Sequence, residues 1–172
     1  MPPTYQLRPM RESDLEAVLA VQRACYPPPL QEAAAVLLAR LGAAPSTTLV
    51  ACAGADPCAY LFAYPSRLGR IAPLDAPFAP AALPDTLYLH DLAVAPAALG
   101  HGLGRRLAQR LLIEAAARGL QYAALVSVQD TRRFWEGLGF AVDGARAACA
   151  ALAAYPIGAV YMSKRLLDRT AG

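Results

Sequence analysis

Two chemistries are suggested by the stretch from Leu87 to Arg106. The first is proton transfer. His90 sits in a run, Tyr88-Leu-His-Asp-Leu-Ala-Val94, whose alternation predicts a strand. A histidine side chain titrates near ~6.5 and accepts a proton at neutral pH. The second is anion binding. Gly100, Gly102 and Gly104 crowd three glycines into five residues, just where Leu103, Leu107, Leu111 and Leu112 begin a helical repeat. A glycine turn opening a helix presents unpaired amide hydrogens at the positive end of the helix dipole, which suits phosphate. Glycine also lets backbone approach a ligand where a Cβ would obstruct.

The elements that position these residues follow from local pattern. Period-two alternation puts Tyr88, His90, Leu92 and Val94 on one strand face and Leu89, Asp91 and Ala93 on the other. Pro96 ends strand pairing after Val94. Upstream, Thr4 to Arg8 reads as a strand. Ser13 with Glu16 forms a capping box for a helix that runs to about Cys25, where Pro27-Pro28-Pro29 ends it. A second helix spans Gln31 to Leu41, with Gly42 as its C′ residue. Thr47 to Ala53 and Cys58 to Tyr64 are strands joined by a hairpin at Gly54-Ala-Asp-Pro57.

Pro65 to Asp85, with five prolines, reads as a long loop suited to binding. The glycine-turn helix ends near Gly119. Tyr122 to Val128 is an apolar strand, Thr131 to Leu138 a short helix closed by Gly139, and Ala159 to Arg165 a last strand. Boundaries between Ala141 and Pro156 stay open. The order β-α-α-β-β-β-α-β-α-β-β predicts a mixed α/β sheet with helices packed on it.

Composition narrows the class. A chain of 172 residues without repeats or linkers is read as a single domain over 1–172 with a full core. The 56% hydrophobic fraction is inflated by alanine, and the late uncharged run from Ala147 to Ser163 is broken by Pro156 and Gly158. No signal-peptide core follows Met1, so a cytoplasmic, non-membrane protein is expected. Cys25, Cys52, Cys58 and Cys149 have no metal spacing and suit reduced thiols; with only His90 and His101 available, no metal is expected. A net charge of +3 without a basic aromatic-laced run gives no nucleic-acid footprint. Arginine dominates, Lys164 being the only lysine, and with the abundant alanine this fits a bacterial GC-rich genome.

Three readings compete for the glycine turn. A P-loop needs a Gly-Lys-Ser/Thr ending, and no such lysine exists. A dinucleotide turn needs Gly-x-Gly-x-x-Gly, and here the third glycine comes one residue early. A plain glycine-rich connection is the third.

The motifs also carry a resemblance. Leu92-Ala-Val-Ala-Pro followed by Leu99-Gly-His-Gly-Leu-Gly-Arg105 resembles motif A of the GCN5-related N-acetyltransferases, and Phe134-Trp-Glu-Gly-Leu-Gly-Phe140 resembles their motif B. Tyr161-Met-Ser-Lys-Arg-Leu166 is similar to the family's closing strand. The resemblance implies a GNAT-like acyl-CoA N-acyltransferase fold, with a mostly antiparallel sheet and helices on both faces. It implies acetyl-CoA as co-substrate, with pantetheine along Leu92, Ala93 and Val94. Pyrophosphate would lie on the turn Leu99, Gly100, His101, Gly102, Leu103, Gly104 and Arg105, with Gln129 near the exit and Trp135 of motif B also beside the co-substrate. Two departures stand out. Leu99 replaces the usual Gln or Arg, leaving Arg105 or Arg106 to compensate, and Trp135 replaces the tyrosine that usually protonates the thiolate.

His90 is then the candidate base, a core histidine being the competing reading, and Tyr88 is a candidate catalytic residue. The surrounding run also resembles arylalkylamine N-acetyltransferases, with Tyr88 in place of their first histidine. Tyr155 and Tyr161 are further tyrosines to weigh as acids. The acceptor is expected to be a small primary amine entering by Tyr26, Tyr64 and Phe78, with Glu32, Asp75 and Asp85 as its few acidic neighbours. A homodimer is left open as an assembly. Two alternatives remain: a non-catalytic acyl-CoA-binding regulatory module, and a transferase of longer acyl groups.

Overall fold

A computed structural model describes residues 3–146 and 149–167 of the chain. Its elements in chain order are β1 (Tyr5–Pro9), α1 (Leu15–Cys25), α2 (Ala34–Ala43), β2 (Thr48–Ala53), β3 (Asp56–Ser66) and β4 (Thr86–Val94), then α3 (Leu103–Ala117), β5 (Tyr122–Ser127), α4 (Arg132–Glu136), β6 (Ala141–Val142), α5 (Cys149–Leu152) and β7 (Val160–Arg165). The seven strands form one sheet in the order β1-β2-β3-β4-β5-β7-β6. All neighbours are antiparallel except β4 and β5, which run parallel with α3 as their crossover. The mixed, mostly antiparallel sheet expected from the sequence is thus observed.

Each face of the sheet carries its own apolar layer. Leu103, Leu107 and Leu111 of α3 pack with Leu49, Leu61, Leu89, Trp135 and Phe140 on one face. Val18, Val21, Leu37 and Leu41 of α1 and α2 pack with Tyr60, Phe62, Tyr64 and Tyr88 on the other. The leucine repeat of α3 therefore does what a helical stripe does: it buries one side and leaves Ile113 69% exposed on the other. Among the described residues, no helix is long and apolar enough to cross a membrane.

Several local expectations are corrected. Ser13 does not cap α1. Asp14 stands at the position before the helix without bonding an α1 amide; its carboxylate accepts hydrogen bonds from the Arg11 amide at 2.8 Å and from both terminal nitrogens of Arg8 at 2.7 and 2.8 Å, tying the helix start to β1. A carboxylate shared by a guanidinium and an amide is a stronger anchor than a serine hydroxyl. The second helix starts at Ala34, three residues later than expected, because Gln31 and Glu32 are drawn into side-chain contacts with Tyr26 and Gln22. Gly42 lies inside that helix. Ala147 and Ala148, within the stretch whose boundaries stayed open, lie outside the described residues. Cys25, Cys52 and Cys58 are free thiols.

The largest correction concerns β4. Its register with β3 shifts between Phe62 and Ala63, where Phe62 faces Asp91 and Ala63 faces Leu89. His90 is the extra residue of a β-bulge. A bulge breaks period two, because two residues of one strand oppose one of the other. Leu92 and Val94 consequently share the α3 face with Leu89, while Asp91 and Ala93 share the α1 face with Tyr88. The predicted separation of His90 from Asp91 is overturned.

Leu107, fully buried in the α3 layer, tests the packing. Leu107→Ala should lower the unfolding free energy by about 2–5 kcal/mol, whereas the exposed Ile113→Ala should change it by less than about 0.5 kcal/mol. Urea unfolding followed by circular dichroism measures both.

Candidate functional site

The parallel pairing of β4 and β5 ends at Leu89 and Leu125, although both strands continue. Beyond that point they splay. The Ala95 amide donates to Cys58 on β3 at 2.8 Å. By alternation the amides of Ala93 and Asp91 also face β3, and those of Leu92 and Val94 face the gap left by β5. The carbonyls on the gap side are met by side chains from the end of α1. The Tyr26 hydroxyl donates to Leu92 O at 3.0 Å and the Cys25 thiol to Val94 O at 3.2 Å.

The gap opens into a cleft of about 510 Å³ that runs along β4 to the start of α3. Gly100 and Gly102 adopt positive φ values of 83° and 68° there. Gly102 is the residue from which α3 springs, and the first amide committed within the helix is that of Arg106, to Gly102 O at 3.0 Å. The amides of Leu103, Gly104 and Arg105 therefore remain at the helix mouth, as an anion-binding terminus requires. This arrangement fits coenzyme A: an open strand edge for an amide-bearing arm, and an amide-rich turn for a pyrophosphate.

The residues expected to hold the co-substrate distribute as follows. Leu92, Ala93, Val94, Leu99, Gly100, Gly102, Leu103, Gly104, Arg105, Gln129 and Trp135 all line the cleft. His101 does not; its ring lies on Tyr5, 5.1 Å between centroids. Arg105 stays at the cleft and donates to Gly137 O at 3.2 Å, whereas Arg106 turns to Tyr5 O on β1. Leu99 is 63% exposed, so its side chain adds nothing to the amide cradle.

A second cavity of about 40 Å³ lies on the α1 face, lined by Tyr26, Leu30, Glu32, Leu74, His90, Asp91 and Tyr155 among others. Tyr26, His90 and Asp91, with Val126 and Val128, line both spaces and so mark the passage between them. The His90 side chain is 3% exposed, its Nε2 stands 3.5 Å from Glu32 Oε1, and its Nδ1 has no hydrogen-bond partner among the described residues. Glu32 favours the tautomer with hydrogen on Nε2, leaving Nδ1 as a buried acceptor.

Glu32 is a hub. Arg40, with no exposed surface, binds it with both terminal nitrogens, one of them at 2.7 Å. The Asp75 amide donates to it at 2.8 Å. Arg40 Nε donates to Ala76 O at 2.9 Å, and the guanidinium lies 4.9 Å from the centre of the Phe78 ring. Burial pushes the Glu32 carboxyl up, but His90 and Arg40 outweigh it and hold the group at about 2.

Tyr88 is corrected out of the site. It is 1% exposed in the α1-side core, lines neither cavity, and burial drives its phenol well above the usual range. Tyr161 is buried too, its oxygen accepting the Gly69 amide at 2.9 Å. Tyr155 lines the small cavity but donates to Ala72 O, and burial pushes it up to about 12. Tyr64 and Phe78 stack on each other at 4.3 Å inside the core and do not line the entrance. Asp85 holds the Leu68 amide and the Thr86 hydroxyl. Tyr26, expected beside the acceptor's entrance, lines both spaces, whereas sequence reasoning missed Asp91 as a residue of the passage.

A family model described as the acetyltransferase (GNAT) family matches residues 15–140. No curated protein matches the sequence. Among solved structures, the GNAT-like decarboxylase GphF in complex with isobutyryl-CoA is 22% identical, with a TM-score of 0.75 over 94% of this chain and 100% of that one. The loading GNATL domain of CurA from Lyngbya majuscula is 15% identical, with a TM-score of 0.75 over 95% and 98%. The ribosomal-protein-S18-alanine N-acetyltransferase from Escherichia coli is 15% identical, with a TM-score of 0.70 over 98% and 97%. At these identities the likeness is one of fold.

Two outcomes test this geometry. Gly102→Val puts a β-branched residue at a φ of 68° and should weaken coenzyme A binding at least tenfold, read by calorimetry. Glu32→Gln leaves Arg40 buried without its counter-charge and should destabilise the protein by about 3–5 kcal/mol at neutral pH. The Glu32 carboxyl is depressed by folding, from 4.5 to about 2. Its contribution is therefore complete above pH 4.5 and lost as pH falls toward about 2. The stability gap between wild type and variant should close across that window.

Proposed function

We propose that this chain, which belongs to the GNAT family of acetyltransferases, transfers an acetyl group from acetyl-CoA to the nitrogen of a small primary amine. One observation carries the reading: a buried, unpaired His90 Nδ1 lies in the passage between the cleft and the small cavity, with Nε2 turned to Glu32.

Acetyl-CoA supplies a thioester carbonyl open to nucleophilic attack and a thiolate leaving group. The chain's residues do the rest. Nδ1 of His90 accepts a proton from the amine and so frees the nitrogen lone pair, since amines carry a proton at neutral pH. Glu32 steadies the imidazole while it holds that charge. The Leu92 amide, facing the gap, can donate to the carbonyl oxygen as charge grows on it. The nitrogen sheds two protons in all: one passes through His90 to water and the other ends on the departing sulfur.

No side chain needs to act as a strong acid toward that sulfur. Burial pushes the Tyr26 phenol well above the usual range, so Tyr26 serves as a hydrogen-bond donor, while a thiol titrates near ~8.5 and can leave as thiolate. Trp135 in the cleft wall likewise donates at most a hydrogen bond.

Thiol release from acetyl-CoA with a panel of primary amines tests the reading. His90→Ala should lower kcat/KM about 10²- to 10⁴-fold while coenzyme A affinity holds. Coenzyme A binding with no turnover on any amine would indicate a binding module instead.

A further inference from the structure

The buried charges around the small cavity do not balance. With His90 neutral, as a base must be, and Asp91 ionised, two carboxylates lie there, Glu32 and Asp91, and one guanidinium, Arg40. Arg40 is fully committed: both terminal nitrogens go to Glu32 and Nε to Ala76 O. Nothing of it reaches Asp91. Asp91 is 8% exposed; its Oδ2 accepts the Tyr60 hydroxyl at 3.0 Å, and its Oδ1 has no hydrogen-bond partner among the described residues. His90 and the Tyr26 hydroxyl, which is committed to Leu92 O, stand near the carboxyl and pull against the effect of its burial. An ionised carboxylate held in the interior without a cation or a full set of donors is costly. Burial accordingly holds the Asp91 carboxyl above the usual carboxylate range.

The unpaired oxygen belongs to a residue that lines both cavities, immediately next to His90 on the bulge. What the site lacks is one positive charge with hydrogens to give, delivered beside a base.

We propose that Asp91 is the binding site for the ammonium group of the acceptor. This rests on the reading of the site as that of an N-acetyltransferase. An ammonium beside Oδ1 completes the charge balance of the pocket and stands next to His90. When its N–H bond breaks and a Nδ1–H bond forms, the positive charge moves to an imidazole flanked by Glu32 and Asp91, so the interior charge is conserved. The remaining walls include Leu30, Leu74, Val126 and Val128, which suit hydrocarbon and offer nothing to a second cation. The class of acceptor is therefore a compact primary amine with one positive charge and an apolar body.

The test separates binding from turnover. The protein saturated with coenzyme A is titrated calorimetrically with ethylamine, butylamine and 2-phenylethylamine, and with ethanol, butanol and 2-phenylethanol as their neutral counterparts. In wild type at least one amine should bind about tenfold more tightly than its alcohol, the effect of a charge-assisted hydrogen bond. Asp91→Asn, nearly isosteric, should erase that preference. Amines that bind no better than their alcohols, or not at all, overturn the proposal, and this comparison needs no variant to fold. A preference that survives Asp91→Asn also overturns it. 1,4-Diaminobutane binding more tightly than butylamine would overturn the single-charge class. Thiol release is read in parallel. Asp91-dependent amine binding without turnover supports the ammonium site while sinking the transferase reading. Turnover with an amine preference indifferent to Asp91 sinks the site alone.

Discussion

A sheet interior normally leaves no backbone hydrogen bond unmade, and the parting of β4 from β5 after Leu89 and Leu125 breaks that rule in the middle of this fold. The unmet groups must be answered by something other than a strand. On the carbonyl side the answer is internal: Tyr26 and Cys25, at the end of α1, reach Leu92 and Val94. On the amide side the described residues supply no strand to pair with, and the edge stays open to the cleft. The rest of the architecture follows from keeping that gap open. The bulge at His90 turns β4 where the pairing is lost, α3 brings its amide terminus to the far end of the cleft, and Trp135 packs against Phe134 and Phe140 to build the cleft wall. The same open edge that would be a liability on the outside of a sheet is useful here because only an extended amide-bearing chain can satisfy it.

The buried pair of Arg40 and Glu32 is better understood as a positioning device than as a source of stability. Desolvating two ions consumes most of what their attraction returns, although removing one partner is costly. What the pair does achieve is geometric. One carboxylate oxygen of Glu32 simultaneously faces Arg40, the Asp75 amide and His90. The orientation of the histidine and the seating of the loop after β3 are thereby set by the same atom.

The fold and the glycine-turn half of the cleft were legible in the sequence because both rest on local signals. Leucine spacing marks α3, positive-φ glycines mark the turn, and a proline marks the end of β4. The passage residues were not legible to the same degree. Asp91 was assigned to the wrong face because a bulge adds one residue without leaving a sequence mark, and everything beyond it changes sides. Tyr88 read like a site residue for the same reason that it is a core one, since alternation places it on a face without saying how deep that face lies. Glu32 drew notice only as a nearby acid, since its pairing with Arg40 depends on α2 starting after it, which Asp75 and Gln22 help to decide.

The loop between β3 and β4 carries Pro73, Pro77, Pro80 and Pro84, and it is pinned at Ala72, Asp75, Ala76 and Ala81 by hydrogen bonds to Tyr155, Glu32, Arg40 and Pro65. Each proline removes backbone freedom from the unfolded chain, so less conformational entropy is forfeited when the segment is laid down. A flexible loop of that length would have drawn heavily on the few hydrogen bonds that Glu32 and Arg40 can offer. A pre-stiffened one leaves those bonds available for holding the wall of the small cavity at a constant distance from His90.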